Sequence, residues 1–155
     1  MPETYDELRL ENQLCFPLYA CAKEVVRQYR KPLDKLNLTY TQYIVMMVLW
    51  EFGQMSEGEL GERIHLESGT LAPLLKRLEK AGYISRTRPR DNERKLVVSP
   101  TDEGLALKEK ARDVPHCIRS CMPLQDDELI SLRSLLCRLL SEMENRNREN
   151  QEDDI

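Results

Sequence analysis

No apolar run in this sequence approaches the roughly 20 residues needed to cross a bilayer, which excludes a membrane-spanning helix. The first residues, MPETYDELRLENQ, lack a basic segment followed by an apolar stretch, so no secretory signal is expected and the protein is placed in the cytoplasm. There is no βαβ pattern and no Cys-x-x-Cys pair. A thioredoxin-like thiol peroxidase therefore has no support, and no enzymatic activity is expected. Histidine is scarce, with 2 in the chain. His116, Cys117 and Cys121 are spaced as helix ligands, but a fourth metal ligand is missing, so neither metal nor other cofactor is expected. There is no internal repeat, which argues for one domain rather than an array.

What is present fits a single globular domain of 155 residues, 41% hydrophobic and 32% charged. Such a chain buries a core, but long end helices of so small a protein need a partner to cover them. The cysteines number 5, Cys15, Cys21, Cys117, Cys121 and Cys137. In a reducing compartment most of them stay thiols. The formal net charge of −4 argues against nucleic acid, yet its distribution argues the other way. Between Lys76 and Lys95, Lys76, Arg77, Lys80, Arg86, Arg88, Arg90, Arg94 and Lys95 face only Glu79, Asp91 and Glu93. A basic segment of this kind is either a solvated face or a footprint for phosphate.

Residues 6–31 carry Leu14, Leu18, Cys21, Val25 and Tyr29 at helical spacing, with Cys15, Tyr19, Ala22 and Val26 alongside. That wide stripe implies burial on more than one side, and Pro32 is expected to end the helix. Thr39 with Gln42, and Ser56 with Glu59, are capping-box pairs opening two further helices. A fourth helix spans residues 67–81 and closes on Gly82, where a left-handed cap is expected. ISRTRPR and KLVVS read as two short strands joined by a basic connection. Thr101 caps a helix over DEGLALKEKARDV, which is interrupted at Pro115 and Pro123. A last helix follows over residues 126–143, with Leu129, Leu132, Leu136, Leu139, Leu140 and Met143 in one stripe. The tail, residues 144–155, has no apolar periodicity and is expected to be disordered.

The fold expected is mainly α with a short β-hairpin. A winged helix-turn-helix lobe occupies about residues 40–100, and dimerisation helices occupy about 5–38 and 101–143 of a single domain. In such a lobe the second helix enters the major groove with its N-terminal residues at the base edges. Ser68 and Thr70 supply hydroxyls there, Leu71 and Pro73 offer apolar contact to a thymine methyl, and Lys76 and Arg77 reach phosphate or guanine. Leu74, Leu75 and Leu78 fall on the core side. Arg94, at the hairpin tip, is attracted to the minor groove. Arg86 and Lys95 join the DNA-binding set, with solvated wing residues as the alternative for Arg86 and Arg88.

Cys15 stands on an apolar stripe, where a cysteine is ordinarily an inert core residue. A reactive one must be held as thiolate against an ordinary pKa of about 8.5. No Lys, Arg or His lies within a turn of it. The available donors are phenols: Tyr19 one turn on, then Tyr29 and Tyr40, unless Tyr40 merely fills space. Pro17, two residues after Cys15, requires that the helix either begin near Phe16 or kink at Cys15.

Four segments carry a resemblance: LENQLCFPLY around Cys15, LDKLNLTYTQY, ESGTLAPLLKRLE, and DNERK followed by SPTDEG. Across about residues 8–142 the chain resembles the organic-hydroperoxide-sensing repressors of the MarR family. Asn92, Pro100 and Thr41 depart from that family's aspartate, leucine and proline. The resemblance implies a homodimer whose first and last helices interlock, and a palindromic double-stranded operator. It implies a peroxidatic Cys15 whose thiolate is held by Tyr29 and Tyr40, one or both from the other subunit. It also implies that the sulfenic acid formed by an organic hydroperoxide is trapped by Cys121, by Cys117 or by a low-molecular-weight thiol, with Cys21 and Cys137 as core thiols. The alternatives are a regulator of this fold gated by a small phenolic ligand and a general thiol-based oxidative-stress regulator.

Overall fold

In a computed structural model, the structure describes residues 5–90, residue 92 and residues 95–152. Two 3-10 turns, Asp6–Leu8 and Leu10–Asn12, precede helix α1 (Cys15–Asp34). Helix α2 (Tyr40–Phe52), strand β1 (Met55–Ser56), helix α3 (Glu57–Ile64) and helix α4 (Ser68–Lys80) follow. Strands β2 (Ile84–Thr87) and β3 (Val97–Pro100) lead into helices α5 (Asp102–Ala111), α6 (Val114–Ser120) and α7 (Asp126–Glu152). The sheet is antiparallel in the order β1-β3-β2, with Arg86 opposite Val98 and Met55 opposite the same valine from the other side. The mainly α architecture with a β-hairpin is the expected one.

Local chemistry accounts for most element ends. Both capping boxes form: Gln42 N–H donates to Thr39 Oγ1 at 3.3 Å, and Glu59 N–H donates to Ser56 Oγ at 3.2 Å, each answered by the reciprocal bond. Gly82 takes φ 83° after α4, as its position suggested, and Tyr83 N–H closes the cap on Leu78 O at 3.1 Å. Gly104 is required for another reason. A Cβ there would lie 2.0 Å from the carbonyl oxygen of Tyr83, so only glycine lets α5 approach the hairpin so closely.

Several boundaries differ from the sequence reading. Helix α1 begins at Cys15 rather than residue 6, because the Pro17 ring excludes a helical carbonyl at Gln13, which is extended with ψ 120°. Pro32 does not end α1. It sits in the last turns, and termination falls instead to Asn37, left-handed at φ 53°. Leu38 N–H there reaches Leu33 O at 3.2 Å and Asn37 N–H reaches Asp34 O at 3.2 Å. The expected interruption near Pro115 is present, with the break at residues 112–113, and Pro115 then stands in the first turn of α6, where a missing N–H costs nothing. Helix α7 continues past Met143 to Glu152, where disorder was expected, and residues 153–155 of that expected tail lie outside the described residues. Glu142 with Arg146, and Glu144 with Arg148, stand four residues apart in the stabilising order, so helix persists without an apolar stripe.

The chain divides into two compact units, Met1–Arg119 and Ser120–Ile155. In the first, α2 contacts α1, α3, α4, α5 and β3 and forms the centre of the lobe. Val45, Met46, Leu49, Leu60, Leu75, Leu78 and Val98 are fully buried around it. The second unit consists of the 121–125 connection and α7, whose Leu132, Leu135, Leu136, Leu139, Leu140 and Met143 are all exposed within the single chain. Among the described residues no helix is long and apolar enough to cross a membrane.

Candidate DNA-reading and thiol sites

Helices α3 and α4 form a helix-turn-helix. The three-residue turn between them is tight: Leu66 N–H donates to Gly61 O at 3.0 Å, His65 is left-handed at φ 54°, and a Cβ on Gly61 would stand 2.7 Å from Leu66 O. Helix α4 then presents two faces. Leu71, Leu74, Leu75 and Leu78 are buried, whereas Ser68, Thr70, Pro73, Lys76 and Arg77 are exposed together. Leu71 is 1% exposed, so its expected thymine contact is ruled out. It is a core residue, one turn before Leu75. Glu67, the N-cap, makes no side-chain cap, which leaves first-turn N–H groups for an anion such as phosphate.

The hairpin beside α4 is the wing. Lys95 is exposed, and an open groove of about 520 Å³ between wing and helix-turn-helix is lined by Ser56, Glu57, Gly58, Ser68, Arg88, Asn92, Lys95 and Leu96. Hydrogen bonds from Ser56 hold the Glu59 carboxyl below its ordinary range, and the nearby Lys95 charge adds to this. Arg86 has a protein partner rather than an open position. Its Nη2 donates to Glu79 Oε2 at 2.6 Å, and its side chain is only 16% exposed. Glu79 was missed by the sequence reading, although an acid seven residues before an arginine inside a basic segment was the available signal. Arg94 lies outside the described residues.

All five cysteines are exposed thiols. Cys21 and Cys137, expected as core thiols, are on the chain surface, because α1 buries only Leu33 and none of the described α7 side chains is buried. Cys15 occupies the first position of α1, with Pro17 in the first turn. Exposed Leu14, Phe16, Leu18 and Tyr19 surround it in sequence, and the Lys23 ammonium lies 5.3 Å from the Tyr19 ring centroid. Tyr29 and Tyr40 come together, ring centroids 4.7 Å apart, and Tyr43 stands 5.9 Å from Tyr29. Burial pushes the Tyr29 phenol above its ordinary value of 10.0, and Tyr40 and Tyr43 add to the shift. It is therefore a protonated hydrogen-bond donor at neutral pH. Tyr29 and Tyr40, but not Tyr43, border a cavity of about 340 Å³ that includes Val26, Arg30, Leu33 and Thr39. Cys15 is not with them. Fourteen residues of helix separate it from Tyr29, about 21 Å at 1.5 Å per residue.

Comparison with known proteins places this arrangement. Residues 27–111 match the family model of the SarA/Rot transcriptional regulators. The chain is 43% identical, over 95% of its length and 100% of the relative, to an organic hydroperoxide resistance transcriptional regulator of Bacillus subtilis. Its fold matches reduced AbfR bound to DNA with a TM-score of 0.77 and 33% identity, covering 90% of this chain and 96% of that one. AbfR is known from Staphylococcus epidermidis. The disulfide form of AbfR matches with a TM-score of 0.60 at 33% identity, over 90% and 93% of the two chains.

Proposed function

The chain belongs to the family of organic-hydroperoxide-resistance transcriptional regulators, and from that membership we propose that it is a cytoplasmic homodimeric repressor whose Cys15 reads organic hydroperoxide and thereby releases a palindromic operator. The DNA-bound relative supports the first part, together with a recognition helix whose Ser68, Thr70, Pro73, Lys76 and Arg77 share one exposed face. The observation that carries the sensing part is the separation along α1. A thiol at one end and a phenol pair at the other complete each other when two copies of α1 run antiparallel across a two-fold axis, since an isologous interface brings residue i to j and j to i. Each Cys15 then meets the other copy's Tyr29 and Tyr40, and the exposed apolar faces of α1 and α7 are covered in the same event. On this reading residues 40–100 are the DNA-binding lobe, and the flanking helices hold the two lobes at operator spacing.

The chemistry balances without a cofactor. The Cys15 thiolate attacks one peroxide oxygen, an S–O bond forms, the O–O bond breaks, and the departing alkoxide takes a proton to become the alcohol. Cys15 is oxidised by two electrons to the sulfenic acid, and the peroxide is reduced. A thiol then displaces water from that sulfur and leaves a disulfide. Cys121 is the preferred trap, Cys117 the second, and a low-molecular-weight thiol the external alternative.

The test is operator binding before and after one equivalent of cumene hydroperoxide. Cys15→Ser is expected to bind DNA as the parent does and to stay bound after oxidation. Release of Cys15→Ser at the parent's peroxide dose overturns the assignment. Non-reducing gels separate the traps: Cys121→Ser abolishes a crosslinked dimer that Cys117→Ser retains, the reverse pattern exchanges their roles, and no crosslink in the parent points to the external thiol.

A further inference from the structure

Glu79 is the penultimate residue of α4, and Arg86 lies in β2, the first strand of the wing. Three hydrogen bonds join them. The Arg86 Nη2 and Nε donate to Glu79 Oε2 at 2.6 and 3.0 Å, and the Arg86 backbone N–H donates to Glu79 Oε1 at 3.2 Å. A single carboxylate thus grips both the side chain and the backbone of the strand. These bonds, the Arg86 side-chain bond first, hold the Glu79 carboxyl below its ordinary value of 4.5, so the pair is fully charged at neutral pH. The chain linking the two residues turns at Gly82, left-handed at φ 83° and with nothing within 4 Å of where its Cβ would be. Glycine there allows the turn but adds no side chain to stiffen it. The carboxylate therefore supplies side-chain bracing that Gly82 cannot. Arg86 also differs from its basic neighbours: Lys76, Arg77, Lys80 and Arg88 are exposed, while its guanidinium is directed at α4.

We infer that Glu79 and Arg86 are positioning residues for DNA binding, a clamp that fixes the wing to the recognition helix so that both meet the duplex in one register. The inference rests on the DNA-binding reading above. With the clamp the free protein already holds the wing in the competent orientation. Without it, only a fraction of molecules do, and the apparent affinity falls by that fraction. Neither side chain neutralises a phosphate, so the dependence of binding on salt is unchanged even as the affinity drops. The same clamp makes release concerted, because a displaced α4 carries the wing with it.

The experiment uses the full-length reduced protein, an inverted-repeat duplex that the parent enriches from a random pool, and a random-sequence duplex for comparison. Binding is measured at 10 °C, well below the melting transition of each variant, where a merely destabilised protein is still folded and binds normally. Glu79→Gln and Arg86→Gln are each expected to weaken binding to the enriched duplex about tenfold. Both are expected to keep the salt slope of the parent, and the double variant is expected to be no weaker than either single one. Glu79→Asp, which keeps the charge but draws it back by one methylene, gives a smaller drop in the same direction and serves if Glu79→Gln does not fold. If Arg86→Gln lowers the salt slope by about 0.9 while both Glu79 variants bind as the parent does, Arg86 is a phosphate contact and the clamp is overturned. Parental affinity in all variants also overturns it. Failure of the parent to enrich any duplex overturns the DNA-binding reading itself, and the clamp with it.

Discussion

The winged lobe and helix α7 are built on opposite principles. Every buried apolar side chain among the described residues lies between Leu33 and Ile118, while α7 has six large apolar residues exposed between Leu132 and Met143. The lobe satisfies itself: capping boxes, a buried leucine row on α4 and a valine strand close around α2. Helix α7 has the same leucine spacing as α4, yet its described leucines are exposed. Equal periodicity therefore has two meanings. On α4 it encodes a fold, and on α7, under the dimer proposed above, it encodes an interface with another copy. Helix α1 shares both characters, with Leu33 anchored in the lobe and Leu14, Phe16 and Leu18 exposed at its other end.

The same substitution in the two regions exposes the contrast most sharply. Leu75→Ala removes a fully buried side chain from the lobe, and it is expected to cost about 2–5 kcal/mol in chemical denaturation, as cavities in close-packed cores do. Leu136→Ala is expected to leave the stability of an isolated chain within about 0.5 kcal/mol and instead to weaken association, so that melting falls below the parent's most at low protein concentration. Equal losses at both positions, independent of concentration, would contradict the contrast. Acid sharpens it from the lobe side. Glu59 and Glu79 both have lowered carboxyl values, the first through Ser56 and the second through Arg86. Their contribution is present above the ordinary 4.5 and is lost as pH falls through the lower folded values. A denaturation series below pH 4.5 should show the lobe weakening, and parallel Glu59→Gln and Glu79→Gln variants should show a flatter decline.

The next effect is in assembly. Leu136→Arg with Leu140→Arg places two charges on the exposed α7 face, and sedimentation is expected to show monomer. Affinity for a two-half-site duplex should then fall by about a hundredfold, because the second half-site is no longer held at high effective concentration. A stable dimer carrying both arginines would remove α7 from the interface.

How far the sequence was legible follows the range of each interaction. Thr39 with Gln42 and Ser56 with Glu59 act across three residues, and both caps were readable. Gly82 was readable for the same reason. Strand β1 was not, because Met55 and Ser56 form a strand only by pairing with Val98 and Val97, more than forty residues away. Leu71 was assigned to the wrong face although its spacing of three, four and seven from Leu74, Leu75 and Leu78 puts it in the same buried row. Cys21 and Cys137 were misread because an apolar stripe does not state which molecule covers it. The ring contact between Tyr29 and Tyr40 was not legible, because it joins α1 to α2 through tertiary packing, while the distance from Cys15 to Tyr29 within one chain follows from helix geometry alone.

Lys76 gives a smaller but cleaner measurement on the lobe. It is exposed one turn after Pro73 on the face of α4 opposite the buried leucines. Lys76→Ala is expected to weaken enriched and random duplexes alike by a few fold, and to lower the slope of log affinity against log salt by about 0.9. An unchanged slope would make Lys76 a solvated bystander.

The smallest expected effect concerns the opposite end of the comparison, where α1 starts. Pro17 has no N–H, and its ring excludes a helical carbonyl four residues earlier, at Gln13. The structure shows the result: Gln13 is extended, Leu14 is the N-cap, and Cys15 is the first helical residue. Cys15 thus lies at the N-terminal end of α1, where first-turn N–H groups have no carbonyl partner and can donate to the oxygen atoms of an approaching peroxide. Alanine at position 17 lifts the steric bar, so α1 can extend backward through Gln13 and move that end away from Cys15. Pro17→Ala, in a variant whose other four cysteines are serine, is therefore expected to slow the second-order reaction of Cys15 with cumene hydroperoxide by a few fold, followed by loss of titratable thiol. Operator affinity of the reduced protein should not change, because α4 and the wing are untouched. An identical oxidation rate with and without Pro17 would remove the helix start from the account of Cys15 reactivity.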